Sequence, residues 1–155
     1  MRRPAALLVT VSAIAWPACS SESEPAEAQI RALLAEMEVA AEAKDLRPLK
    51  AIVSERYTDE LGNDRRGIVR LLTYHFLRNQ SIHLLTRVAA IEIPEPGRAS
   101  VTAYVAMAGR PIPDADALTQ LRANLYRFDF ALEDTGKSWQ VTRADWRPAE
   151  ARDFL

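Results

Sequence analysis

The chain has 155 residues, of which 48% are hydrophobic and 26% charged, and its formal net charge at pH 7 is −1. This length fits one domain whose core needs neither a disulfide nor a metal, and the charge provides no basic surface for binding nucleic acid. The single cysteine, Cys19, excludes an intrachain disulfide and a cysteine-based zinc site.

The first residues form a targeting segment. Arg2 and Arg3 precede an apolar stretch over residues 5–15, which is too short to span a bilayer as a mature helix. Ala18 and Cys19 close the stretch, and a polar run follows. We therefore expect residues 1–18 to be a signal peptide.

The junction at Cys19 resembles the lipobox of bacterial lipoproteins, although Trp16 and Pro17 replace the usual leucine and small residue. The resemblance implies that Cys19 is diacylated and tethers the protein to a membrane. Ser20 is similar to the sorting signal of outer-membrane lipoproteins that face the periplasm. Residues 19–27 are then the lipidated cysteine and a flexible tether. The alternatives are ordinary secretion to the periplasm and an uncleaved cytosolic protein.

Three helices are predicted at the start of the domain, which we place at residues 28–155. The first begins at about Glu27 and has an apolar stripe opposite a charged side. The stripe consists of Ile30, Leu33, Leu34, Met37 and Ala41. The charged side consists of Arg31, Glu36, Glu38 and Glu42. Asp45 is the predicted N-cap of a short second helix with Pro48 in its first turn. The third begins at about Asp64, and its apolar face consists of Ile68, Leu71, Leu72, His75 and Phe76.

Four strands follow, because the apolar period becomes two from residue 82. The first predicted strand covers residues 82–91 and the second 101–107, and a long loop over 109–116 leads to one helical turn at 117–121. The last two strands form an aromatic hairpin, Leu125 to Trp146, which turns at residues 134–136.

The last strand of the aromatic hairpin is irregular. Trp139 and Val141 share a face, but Ala144 and Trp146 are out of phase with them. Either Trp146 faces the other side, or a bulge near Thr142 and Arg143 restores the phase.

This order of elements predicts an α+β fold, with three N-terminal helices packed in a curved, mainly antiparallel four-stranded sheet. It resembles the nuclear-transport-factor-2-like fold, the cystatin-like cone of polyketide cyclases and ketosteroid isomerases, over Glu27 to Pro148. The resemblance depends on the element order, on Asp45 before a short helix with Leu49, and on the ending with Trp139, Val141 and Trp146. It implies a ligand pocket between the helices and the concave side of the sheet.

Few residues are suited to catalysis in such a pocket. Isomerase and dehydratase members of the fold need a general base and an oxyanion donor such as tyrosine. The candidate bases are His75 and Asp145, and the candidate ligand-binding residues are Tyr57, Tyr104 and Tyr126. The alternative for His75 is a half-buried histidine bonded to a backbone carbonyl, and His83 is expected to be exposed. Neither histidine is in a metal-ligand pattern, so we predict no metal site. Glycine-rich phosphate loops are absent, and we predict no cofactor.

The outer face of the predicted sheet is polar. Arg87, Arg127, Asp129 and Arg143 are expected to project from it together with Tyr104. A solvated ladder of ion pairs is one interpretation. The other is a homodimer interface, which the resemblance implies for this face.

Two functions remain open. The first is a non-catalytic domain, tethered to a membrane in the periplasm, that binds a small apolar ligand or a protein partner and no nucleic acid. The alternative is a small isomerase, dehydratase or cyclase that acts on an apolar ligand in the cone, with His75 or Asp145 as the base. The enzyme requires a base in an open cavity within hydrogen-bonding distance of a tyrosine. A cone filled by Met37, Phe128, Phe130 and Trp139 would exclude it.

Overall fold

Three helices precede the sheet in the computed structural model, which describes residues 25–155. Helix α1 spans Ala26–Glu42, α2 spans Leu46–Ile52 and α3 spans Arg65–Arg78. The predicted signal peptide, Cys19 and most of the predicted tether lie outside the described residues. Within residues 25–155 no helix is both long and apolar enough to cross a membrane.

Side-chain caps fix where the second and third helices begin. Asp45 accepts the backbone N–H of Arg47 at 2.9 Å, and Asp64 accepts that of Gly67 at 2.7 Å. Each carboxylate thus satisfies a donor that the first helical turn leaves unpaired. The predicted starts of α2 and α3 are confirmed.

The sheet is an antiparallel meander in the order β1-β2-β3-β4. Its strands are β1 (His83–Glu95), β2 (Arg98–Ala108), β3 (Asn124–Asp134) and β4 (Trp139–Pro148). A one-turn helix, α4 (Leu118–Leu121), precedes β3, and a 3-10 turn over Ala151–Phe154 follows β4. The predicted α+β class and the helix-first order are confirmed.

A bulge in β4 resolves the phase of the two tryptophans. Ala131 pairs with Arg143 and Leu132 pairs with Val141, so Thr142 is an extra residue in β4. The extra residue returns Ala144 and Trp146 to the concave side that Trp139 and Val141 occupy. The bulge alternative is therefore the correct one.

The two edges of the sheet are covered differently. The segment after α2, residues 53–58, runs along β4, where Ser54 N–H donates to the carbonyl of Val141 at 2.9 Å and Thr58 N–H to that of Thr142 at 3.1 Å. At the other edge, the carboxylate of Glu42 accepts the N–H of Leu84 at 2.8 Å. These contacts satisfy backbone groups that edge strands otherwise leave unpaired.

The main core lies between the helices and the concave side of the sheet. It joins Ile30 and Leu34 of α1 to Val101 of β2 and Val141 of β4. A second cluster, which includes Phe76 and Ile82, packs at the C-terminal end of α1. On the convex side, Leu118 and Phe154 cover Ala106 and Tyr104.

Candidate functional site

A cavity of about 210 Å³ opens between the helices and the concave side of the sheet. The helices contribute mainly aliphatic side chains: Leu34, Met37, Leu49, Ile52, Ile68 and Leu72. The sheet contributes aliphatic and aromatic ones: Leu84, Val105, Phe128, Phe130, Val141 and Trp146. The cone is thus not filled, and its lining resembles that of pockets that bind small apolar molecules.

Three aromatic rings form one wall of the cavity. The rings of Phe128 and Phe130 stack with centroids 5.5 Å apart and planes inclined by 6°. The ring centroid of Trp146 lies 6.3 Å from that of Phe128. The two rings are neighbours because the bulge at Thr142 turns Trp146 toward the concave side. Trp139 is buried in the core nearer the start of β4, where its Nε1–H donates to Gln29 at 3.1 Å. A stacked aromatic wall offers a ligand a flat apolar surface.

Tyr57 lines the cavity with its ring and uses its hydroxyl elsewhere. The residue is 3% exposed, and its hydroxyl lies 3.2 Å from both the Asp59 carboxylate and the carbonyl of Ala144. Burial, followed by the charge of Asp59, raises the pKa of Tyr57 well above its ordinary value. The hydroxyl therefore holds its proton between these two acceptors, and Tyr57 is a poor acid.

Asp59 organises the loop that carries Tyr57. Its carboxylate also accepts the N–H of Leu61 at 3.0 Å, and both the N–H and the side-chain amide of Asn63 at 2.9 Å. Burial alone would raise the pKa of Asp59, but the hydrogen bonds from Asn63, Tyr57 and Leu61 lower it below its ordinary value. The ionised carboxylate thus fixes the loop and the Tyr57 ring against the cavity.

Glu38 is the one carboxylate among the described residues that line the cavity. It lies on the same side of α1 as Leu34 and Ala41, whereas the sequence predicts it on the charged side, opposite the apolar stripe. That assignment is wrong, because the inward side of α1 is wider than the apolar stripe. The sequence does contain a signal for the inward position, because Glu38 is four residues after Leu34 and residues four apart on a helix share a face.

The predicted bases lie outside the cavity. His75 is exposed on α3, where its ring centroid lies 5.7 Å from that of Tyr74 and the two ring planes are inclined by 78°. The prediction that His75 lies on the buried face of its helix is wrong. Asp145 follows Ala144 in β4 and faces the convex side, where it accepts the N–H of Glu60 at 2.9 Å and pairs with Arg143.

The three predicted ligand-binding tyrosines lie in three different places. Tyr57 lines the cavity. Tyr126 is on the concave side next to Phe128, at 6.3 Å, but is not among the lining residues. Tyr104 is on the convex side under Phe154, with a ring separation of 6.0 Å. No hydrogen bond in residues 25–155 joins His75 or Asp145 to any of the three.

The predicted polar ladder lies on the convex face, with Asp129 at its centre. Asp129 is 2.8 Å from the Arg127 guanidinium, 2.9 Å from the Thr102 hydroxyl and 3.2 Å from the Arg147 guanidinium. Burial would raise its pKa, but the bonds from Arg127 and Thr102 lower it. Whether this face is an interface stays a prediction. Within residues 25–155, no three His, Cys, Asp or Glu side chains form a group that could hold a metal ion.

Solved structures share this fold, although no protein-family model and no curated sequence matches the chain. A candidate scytalone dehydratase from Novosphingobium aromaticivorans matches with a TM-score of 0.65 at 12% identity, over 80% of this chain and 84% of that one. A candidate dehydratase of the NTF2-like family from Streptomyces avermitilis matches with a TM-score of 0.64 at 16% identity, over 80% of this chain and 97% of that one. An NTF2-like protein of unknown function from Silicibacter pomeroyi matches with a TM-score of 0.61 at 13% identity, over 79% of this chain and 95% of that one. These likenesses confirm the predicted NTF2-like cone fold.

Proposed function

We propose that this protein binds a small apolar molecule in its cone without transforming it, while acylated Cys19 holds it at a membrane in the periplasm. The observation that carries the binding function is the cavity of about 210 Å³ with its aromatic wall. A ligand there exchanges water for apolar contacts, and each buried methylene contributes about 0.8 kcal/mol.

The positions of the predicted catalytic groups support binding without catalysis. His75 and Asp145 lie outside the cavity, and the Tyr57 hydroxyl is hydrogen-bonded to Asp59 and Ala144. General acid–base catalysis requires a base within reach of the proton that it removes. None of these residues can provide it from its present position.

The binding function is tested by blocking the cavity. Val105 lines it from β2, and Ser100 lies on the same strand with its side chain on the exposed convex face. We expect Val105→Trp to abolish retention of a co-purifying small molecule and uptake of an apolar fluorescent dye, while Ser100→Trp preserves both. Native mass spectrometry and dye titration measure the two effects, and circular dichroism checks that both variants fold. Equal retention by the two variants would contradict binding in the cone.

A second candidate function is an isomerase or dehydratase, which one observation favours. Glu38 places a carboxylate in the lining, where a general base would act. Two of the structurally similar proteins are described as candidate dehydratases. Nuclear magnetic resonance of the retained molecule in heavy water tests this function. Proton exchange or water loss that Glu38→Gln abolishes would replace the non-catalytic proposal.

The membrane address is tested separately. We expect Cys19→Ala to move the protein from the membrane fraction to the soluble periplasmic fraction, because the substitution removes the thiol that carries the acyl chains. Ser21→Ala is the matched control and should leave the protein at the membrane. If the Cys19→Ala protein stays with membranes, acyl anchoring is refuted.

A further inference from the structure

We propose that the cavity selects ligands that carry a protonated amine, and that the carboxylate of Glu38 holds that amine. This inference rests on the ligand-binding function proposed above. It names the chemical class of the ligand: a small apolar body with one cationic nitrogen.

The lining offers a ligand few polar groups. Four lining residues carry a polar group in the side chain: Glu38, Tyr57, Thr86 and Trp146, whose indole N–H is a donor only. The Tyr57 hydroxyl is engaged by Asp59 and Ala144. Neither Glu38 nor Thr86 has a hydrogen-bond or ion-pair partner among residues 25–155. A ligand therefore meets one carboxylate, one hydroxyl and the indole N–H of Trp146.

The Glu38 carboxylate is on α1, and the Thr86 hydroxyl is on β1, the strand to which α1 is hydrogen-bonded through Glu42. Glu42, one turn after Glu38 on α1, accepts the N–H of Leu84 in β1. Thr86 is two residues after Leu84 and faces the same side of the strand. The helix runs opposite to the strand, because Val88 packs against the cluster that contains Ile30, and Leu84 against the cluster that contains Ala40. One turn back from Glu42 along α1 and two residues on from Leu84 along β1 each cover about 6 Å, so we infer that Glu38 and Thr86 lie near each other.

The sign of the charge determines which ligands fit. A carboxylate only accepts hydrogen bonds, and no lining residue is a lysine, arginine or histidine that could neutralise it. A neutral apolar ligand would cover the charge without compensating for its lost water, and an anionic ligand would be repelled. A protonated amine both neutralises the charge and donates hydrogen bonds. Glu38 is partly exposed, so the amine also keeps contact with water.

Three probes with similar apolar bodies test the preference: phenethylamine, phenethyl alcohol and phenylacetate. Their affinities are measured near neutral pH by calorimetric titration of the full-length Cys19→Ala protein. We expect phenethylamine to bind about tenfold more tightly than the alcohol, as for one charge-assisted hydrogen bond near water, and phenylacetate to bind most weakly.

Two substitutions that remove the same charge show whether Glu38 is responsible. Glu38→Gln should reduce the affinity for phenethylamine to that for the alcohol. Glu36→Gln, on the exposed side of the same helix, should leave the preference intact. Glu38→Asp keeps the charge on a shorter arm and should keep the amine preferred over the alcohol.

The outcomes separate this inference from the function on which it depends. Binding of the alcohol with no preference for the amine overturns the inference and leaves the cavity as a binding site. A preference that survives Glu38→Gln also overturns it. If none of the three probes binds, the proposed binding function fails and the inference fails with it.

Discussion

Replacing Asp59 by asparagine should loosen the loop that holds Tyr57 against the cavity. The carboxylate accepts hydrogen bonds from Leu61, from both nitrogens of Asn63 and from the Tyr57 hydroxyl. Asparagine keeps one acceptor oxygen and places an amide NH₂ where the second oxygen was. That amide would face the donating groups of Asn63 and Tyr57, so at least one buried donor loses its partner.

The cost follows from the number of bonds and from burial. Asp59 is 6% exposed, and hydrogen bonds to a charged group contribute about 1.5–3 kcal/mol each. One bond lost and a second weakened lower the free energy of unfolding by about 3 kcal/mol near neutral pH. This is a large part of the total stability of a small domain, which is about 5–15 kcal/mol.

The pH dependence gives a second, independent signature. The pKa of Asp59 is lower in the folded protein than in the unfolded chain, where it is about 3.9. The stability that ionised Asp59 contributes is therefore complete above that unfolded-state pKa and is lost as the pH falls through the folded-state pKa. The difference between the wild type and Asp59→Asn should shrink below about pH 4.

Urea denaturation followed by tryptophan fluorescence measures both effects, at about pH 7 and about pH 3. Asp64→Asn is the matched control, because Asp64 caps α3 and asparagine caps a helix about as well as aspartate. If Asp59→Asn is as stable as the control near neutral pH, or if its deficit is the same in acid, the role assigned to Asp59 is wrong.

Three further predictions concern the Tyr57 hydroxyl, the bulge at Thr142 and the ion pairs of the convex face. Tyr57→Phe should lower the free energy of unfolding by about 1 kcal/mol in the same urea assay; an unchanged value would show that its hydroxyl is not hydrogen-bonded in solution. Deleting Thr142 should abolish cooperative unfolding, because removing the bulge turns half of β4 inside out and exposes Trp139 or Trp146. Deleting Asp116 from the exposed loop should be tolerated, and a folded Thr142 deletion would contradict the register. Arg127→Ala should cost less than about 1 kcal/mol, because Arg127 and Asp129 are one-third exposed. A larger loss in thermal unfolding would indicate that the convex face is covered in solution.

The fold was predictable because its signals are local. The N-cap at Asp45, the helical period of α1 and the alternation of Phe128 and Phe130 each involve neighbouring residues, and the structure follows all three. Even the bulge left a trace, since Trp139 and Trp146 lie out of phase in the sequence. Periodicity reports which residues share a face, and this is sufficient to order the layers.

The site was less predictable because it depends on which faces of the helices pack against the sheet. The apolar face of α3 is wide enough to include His75, but the helix packs through Ile68 and Phe76 and leaves His75 exposed. The direction of Asp145 depends on the position of the bulge, which the sequence alone located only approximately. Glu38 looked solvent-facing because a carboxylate usually is. The cavity places it in the lining, and only the packed helices and sheet create the cavity.

The contacts between the two ends of the chain have a consequence for the order of folding. Gln29 of α1 accepts a hydrogen bond from Trp139, and residues 53–58 lie along β4. During synthesis α1 and α2 emerge first, yet Val53 and Tyr57 reach their partners Val141 and Ala144 only when the last strand is complete. Contacts this distant in sequence slow folding. We therefore expect a chain that ends after β3 to remain unfolded, and the whole core to assemble in one late step.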